Sequence, residues 1–203
     1  MTRNDHRAVS VEIPRTTAAT LALEVATTFS SPAMVNHCQR SFVFAASLGE
    51  IEKLSVETEV LYVAAMLHDL GLESAFDNAK LAFEVAGGHV AWVFAAGAGW
   101  PTERRTRVEE IIVAHMRDTD PAIDAEGYLL AAATSLDIVG EAFENWPHEL
   151  LAETVSIFPR LDLTEQFTAC FADQADRKPQ TAAAASIRNG LAERMRRNPL
   201  DRP

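Results

Sequence analysis

The sequence predicts an all-α fold, a single-domain helical bundle. Three observations predict it: alanine is abundant while β-branched runs are short, apolar residues recur at helical spacing along most of the chain, and Gly and Pro fall mainly between those periodic segments. The 203 residues, 48% of them hydrophobic, suffice to close one core and are too few for two large domains.

Residues 1–15 carry charges, Pro14 and little periodicity, which predicts a flexible N-terminal arm ahead of a domain spanning 16–203. Thr17 to Phe29 is apolar at helical spacing through Leu21, Val25 and Phe29. Ser30-Ser31-Pro32 then stops one helix and starts the next with Pro at its first position, and that second helix carries His37. Ser55 is a candidate N-cap for a helix over Val56–Asp69, with Val60, Val63, Ala64 and Leu67 as a core-facing stripe and Gly71 as its end. Leu72–Asn78 reads as a loop. A helix from about Leu81 to Ala96 is expected to be interrupted or kinked at Gly87-Gly88, just before His89. Trp100-Pro101-Thr102 opens a helix bearing Val108, Ile111, Ile112 and His115, broken at Asp120-Pro121, and Gly127–Val139 forms an Ala-rich helix with Asp137. Residues 147–197 read as two or three amphipathic helices divided by Pro159, Arg177-Lys178-Pro179 and Gly190. Their Ile157, Phe158, Phe167 and Phe171 either complete the core or face a second copy of the chain.

The formal net charge of -11 repels phosphate backbones and anionic head groups, which argues against nucleic acid and membranes as partners. The Arg104, Arg105, Arg107 cluster and the Arg194, Arg196, Arg197 cluster read as solvated faces. Two cysteines, Cys38 and Cys170, make no disulfide framework and no zinc-finger spacing. With a polar N-terminus and no stretch of roughly 20 apolar residues, a soluble cytoplasmic protein is expected.

The chemistry lies in a string of ligand types on successive helices: His37, then His68-Asp69, then His89, His115 and Asp137. Imidazole nitrogens and carboxylate oxygens together suit a divalent metal ion, zinc first, with iron or manganese as alternatives. Met66-Leu67-His68-Asp69-Leu70-Gly71 sets two ionisable groups at the end of an apolar stretch, where burial without a partner costs several kcal/mol. A metal is a natural partner there.

The order His37, His68-Asp69, Asp137 resembles that of the HD-domain metal-dependent hydrolases, over roughly residues 30–140. Asn36-His37-Cys38-Gln39-Arg40-Ser41, His68-Asp69-Leu70-Gly71-Leu72, Phe83-Glu84-Val85 and Ser135-Leu136-Asp137-Ile138-Val139-Gly140 look most like the cyanamide-hydratase-like branch. That resemblance implies His37, His68, Asp69 and Asp137 as metal ligands and a hydrolase or hydratase (hydro-lyase) reaction adding metal-activated water to a small nitrile-type substrate. Many phosphate-cleaving relatives carry Lys where this chain has Leu72, which weakens a phosphohydrolase alternative without removing it. A non-catalytic HD-like binding module is the third alternative.

The order of His89 and His115 matches the extra histidines of dinuclear members, so each is a candidate for a second metal, for a pocket hydrogen bond or for a buried structural role. In the expected mechanism Asp69 orients the water and takes its proton, while His115 or His89 donates to the developing negative charge. Asn36 and Arg40 share a helix face beside His37 as substrate-binding candidates, with Arg40 alternatively fixing a carboxylate behind the ligands or forming a surface ion pair. Phe83 and Trp92, with Phe76, wall a pocket or belong to the core. Glu84 reads as an exposed first-turn residue or an acid/base, and His6 and His148 fit no pattern.

Overall fold

The computed structural model describes residues 11–201. Among them ten α-helices and no strand are formed. Residues 1–10 of the expected arm lie outside the described residues; 11–15 carry no regular structure, and Val11 packs against the core.

Helix α1 (Thr17–Phe29) is capped by the Thr16 hydroxyl, which accepts from the Ala19 amide. It buries the small face Ala18, Ala19, Ala22 and Ala26, leaving Leu21 and Phe29 exposed. The alanines let its backbone approach its neighbours closely, and of the larger residues of the apolar pattern Val25 packs against the core while Leu21 and Phe29 lie off the contact. Helix α2 (Pro32–Glu52) starts as its sequence signals, with Ser31 as N-cap and Pro at the first position, and ends on Lys53 in the left-handed region at φ 58°.

Helix α3 (Thr58–Leu67) begins two residues after the expected start, with Glu57 at its N-cap. Every residue from Val60 to Leu67 is buried, so the expected stripe is a helix enclosed on all sides, by α1 and α2 and by helices that follow it in the chain. It stops at Leu67, and Leu70–Leu72 form a single 3₁₀ turn.

Helix α4 (Phe83–Gly97) runs without interruption through Gly87-Gly88, correcting the expected break. A Cβ on Gly71 would lie 2.0 Å from the Phe83 carbonyl oxygen, and one on Gly87 would lie 2.9 Å from that of His68. These glycines therefore serve close approach of α4 to the 68–72 turn, and neither ends a helix.

Helix α5 (Thr102–Ala114) is tied to its surroundings by the arginines expected to form a solvated face. Arg104 pairs with Glu59 at 2.5 Å, also meets Glu57, and lies over Trp100, while Arg107 joins Asp124 and Glu126. Helix α6 (Ala125–Val139) is capped by Asp124 and closed by Gly140 at φ 70°. Helices α7 (His148–Ile157), α8 (Leu163–Arg177), α9 (Ala182–Arg188) and α10 (Leu191–Arg196) complete the chain.

Two apolar clusters result. The larger is built around α3 and includes Phe42, Leu61, Leu67, Ile111 and Leu129; the smaller joins Phe167, Phe171, Leu191 and Met195 to Met34, Phe83 and Ile138. The C-terminal helices thus complete the interior, and the expected ligands lie where the two clusters meet. Among the described residues no helix is long and apolar enough to cross a membrane.

Candidate metal centre

His68 caps the C-terminal end of α3 in helical geometry, whereas Asp69 at φ -98°, ψ 3° has left the helix. That change of backbone lets two adjacent side chains aim at one point. His68 Nδ1 donates to the Ala65 carbonyl at 2.8 Å, and His37 Nδ1, on α2, lies 2.7 Å from Asp137 Oδ2. Each ring so directs its hydrogen outward and leaves its Nε2 lone pair facing inward.

Those two Nε2 atoms are 3.2 Å apart, and Asp69 Oδ2 lies 3.4 Å from the first and 3.2 Å from the second. Asp69 Oδ2 is buried and has no hydrogen-bond donor. Three electron-rich atoms converging without a hydrogen between them repel one another, and a divalent cation relieves that repulsion. Two imidazoles and one carboxylate suit zinc, iron or manganese and leave positions open to water or substrate. A proton can also occupy the site. In that protonated state burial alone would lower the His37 pKa, yet the hydrogen bond to Asp137 and the nearby Asp69 carboxylate outweigh it and raise the value. Burial would likewise raise Asp69, but charge on the neighbouring imidazoles His68 and His37 holds its carboxyl well below the usual range.

Asp137, expected among the ligands, stands one layer behind them. Its carboxylate is fully buried and accepts from His37 Nδ1, from Arg40 Nε at 2.7 Å and Nη2 at 2.8 Å, and from Arg160 Nη1 at 3.0 Å. With its lone pairs so directed, it orients His37. Burial opposes its ionisation, but Arg40, His37 and Arg160 together hold the carboxyl well below its ordinary range.

Arg40 is wholly buried, and its remaining nitrogen donates to the carbonyls of Phe158 and Pro159. It is therefore no substrate contact, and of the expected alternatives it fixes the carboxylate behind the ligands. Asn36 is likewise engaged elsewhere, donating to the Pro159 carbonyl at 2.8 Å.

The two further histidines separate. His115 is buried, its ring centroid 5.0 Å from that of His68, and it lines the same cavity. Its Nδ1 donates to the Ile112 carbonyl, and burial and then the charge on His68 push its pKa down to about 3. With Nδ1 so engaged, Nε2 is the nitrogen left for the cavity, an acceptor while the ring is neutral and a donor once it is protonated. His89 stands apart, with a side chain 55% exposed and 3.5 Å from Glu109. Helix α4 continues through the glycines, and His89 lies on its exposed face, outside the cluster of converging atoms.

Phe83 packs edge-on to His115 at 5.7 Å, supporting that ring from behind, whereas Trp92 lies under Arg105 and Phe76 against Phe29. Glu84 is buried, contrary to its exposed reading, and its Oε2 has no hydrogen-bond partner.

A cavity of about 360 Å³ opens onto His37, His68, Asp69 and His115. Its other walls are Phe167 and Phe171 of α8, Leu191 and Arg194 of α10, and Thr134, Ile138 and Val139 of α6. A larger groove of about 700 Å³ shares His115, Met116, Asp118, Ser135, Glu141 and Ser186 with it. Sequence reasoning missed Arg160 and Asn198, isolated polar residues with no spacing to mark them, and met Arg194 only in an arginine cluster read as a solvated face.

Fold and site together define an all-α protein with a buried His/His/Asp cluster at the end of its central helix. The chain belongs to the HD-domain family, whose model, described as HD domain, matches residues 34–140, more than half of the sequence. The match takes in His37, His68, Asp69, His115 and Asp137. No curated protein is matched by the sequence. Most members of this superfamily are metal-dependent hydrolases, and some are non-catalytic.

Proposed function

We propose that this protein is a metal-dependent hydrolase or hydratase that adds water to a small, uncharged molecule, a nitrile- or cyanamide-like compound being the leading candidate. The observation that carries this reading is the convergence of His37 Nε2, His68 Nε2 and Asp69 Oδ2 with no donor among them. These three side chains would hold the ion, which when bound supplies a Lewis acid able to make a water molecule nucleophilic near neutral pH.

The rest follows from the chain's own residues. Asp137 and the Ala65 carbonyl hold both imidazoles in the tautomer that directs Nε2 inward. His115, neutral and with a free Nε2, accepts a hydrogen bond from a water or substrate N–H in the cavity. Phe167, Phe171 and Leu191 shape the space and exclude bulk water. Asp69, held ionised by its histidine neighbours, is a better ligand and orienting group than proton acceptor.

Preference for an uncharged substrate over a phosphate ester rests on the distribution of cations. Arg40 and Arg160 are engaged with Asp137, and the cavity's one arginine among the described residues, Arg194, pairs with Glu141 at 2.6 Å. Little positive charge is left to receive a phosphate.

The test is elemental analysis of untagged protein purified without chelator, paired with assays for urea formed from cyanamide and for phosphate released from phosphomonoesters. About one equivalent of Zn, Fe or Mn in the wild type, absent from a folded Asp69→Ala variant that also lacks turnover, is the expected result. Phosphate release without hydration of cyanamide would move the assignment to the phosphohydrolase alternative. Protein that takes up no added metal would leave a helical binding module.

A further inference from the structure

Behind the ligands a buried polar chain leads away to the C-terminus. Arg160, only 5% exposed, donates from Nη1 to both the backbone carbonyl and the Oδ1 of Asp137 and from Nε to Asp201 Oδ1 at 2.5 Å. Asn198, wholly buried, donates to the same Asp137 carbonyl at 2.8 Å and accepts from the Leu200 amide at 2.9 Å. Asp137 in turn meets His37 Nδ1. The backbone at Leu161, in the left-handed region at φ 53°, holds the 158–161 turn that delivers Arg160 inward and leaves the Leu161 side chain in solvent. A leucine held in this unfavourable conformation implies that surrounding contacts impose the turn.

We infer that Arg160 is a positioning residue for the metal centre, and that Asp201 and Asn198 at the C-terminus extend its reach through Asp137 to His37. Both Arg160 and the C-terminal pair lie outside residues 34–140, the stretch matched by the family model. The physical reason is geometric. His37 presents Nε2 to the cluster only while Asp137 stays in place, and Asp137 is fixed from one side by Arg40 and from the other by Arg160 and Asn198. Removing the Arg160 arm leaves the carboxylate one anchor fewer and lets the imidazole turn. Metal affinity then falls although no ligand has changed.

This inference rests on the proposed metal reading. Its test is zinc affinity, measured by competition with a chromogenic chelator on metal-free, full-length protein well below the unfolding temperature. The comparison covers wild type, Arg160→Gln, Arg160→Lys and Asp201→Asn, with Val60→Ala as a control that destabilises the core at the start of α3, the end of that helix remote from His68. Arg160→Gln is expected to bind zinc about 10- to 100-fold more weakly. Arg160→Lys, which keeps one charged donor, should recover part of the loss, and Asp201→Asn should show a smaller loss in the same direction. Val60→Ala should lower the Tm and leave affinity unchanged, which separates positioning from general loosening. Wild-type affinity in a folded Arg160→Gln variant overturns the inference alone. If that variant does not fold, wild-type affinity in Asp201→Asn does so. A wild type that binds no zinc, iron or manganese overturns the metal reading, and the inference with it.

Discussion

His37 Nδ1 lies 2.7 Å from Asp137 Oδ2, so the imidazole that faces the cluster with one nitrogen is fixed by a buried carboxylate on the other. Asparagine at 137 would keep the shape and lose the charge. Arg40 and Arg160 would then be buried against a neutral amide, and removing one partner of such a pair costs about 3–5 kcal/mol. Asp137→Asn is expected to lower thermal stability by that order and weaken metal binding by about 10- to 100-fold. Chemical denaturation alongside chelator competition reads both effects.

The two extra histidines should part company under mutation. His89→Ala removes an exposed side chain whose nearest charged neighbour is Glu109, and metal content and turnover should stay at wild-type levels. His115→Ala removes a ring that lines the cavity and packs against His68 and Phe83, and turnover should fall by at least about tenfold. Equal effects from the two variants, in assays run side by side, would contradict the site as drawn.

Glu84 gives the chain a pH dependence independent of the metal. Burial raises its carboxyl above the ordinary 4.5, outweighing its own backbone hydrogen bond and the charges of Arg117 and Lys178. As pH rises from 4.5 the unfolded chain releases this proton first, so the folded state loses stability until its own raised pKa has been passed. Glu84→Gln removes that loss. The variant should be more stable than wild type at pH 7, by about 1–3 kcal/mol, with the difference vanishing below pH 4.5. Urea titrations at both pH values measure it.

At Gly87 a single added methyl reaches the centre indirectly. A Cβ there meets the His68 carbonyl oxygen at 2.9 Å, and both partners are backbone, so α4 or the ligand turn must shift. Gly87→Ala is expected to cost about 1–3 kcal/mol and to weaken metal uptake, whereas exposed Gly97, with nothing within 4 Å, should accept alanine without loss. Thermal melts of the two variants with and without zinc make the comparison.

Much of this was legible in the sequence, and the parts that were not have physical causes. Helical periodicity placed α1, and the Ser30-Ser31-Pro32 break placed the start of α2, to the residue, because Ser31 and Pro32 are strong local signals. The pairing of His68 with Asp69 was readable because two ionisable groups ending an apolar helix need a partner. The contacts of Asp137 with His37 Nδ1, Arg40 and Arg160 were not readable, since sequence order cannot say which nitrogen of His37 a carboxylate meets. Nor were the glycines at 71 and 87, which resemble helix breakers locally and are demanded by close contacts with Phe83 and His68, distant along the chain. Arg160 is a purely tertiary feature: its partners Asp137 and Asp201 are distant in sequence on both sides.

The cavity has a divided parentage. Its floor of His37, His68, Asp69 and His115 comes from the family-matched stretch, while Phe167, Phe171, Leu191 and Arg194 come from helices outside it. On the proposed reading, the part of the wall contributed by α8 and α10 is therefore encoded outside the stretch that would carry the chemistry, while α6 contributes to both. Substitutions in α8 and α10 can reshape what the cavity admits while the converging nitrogens and oxygen keep their places, so a new substrate is reachable without rebuilding the chemistry.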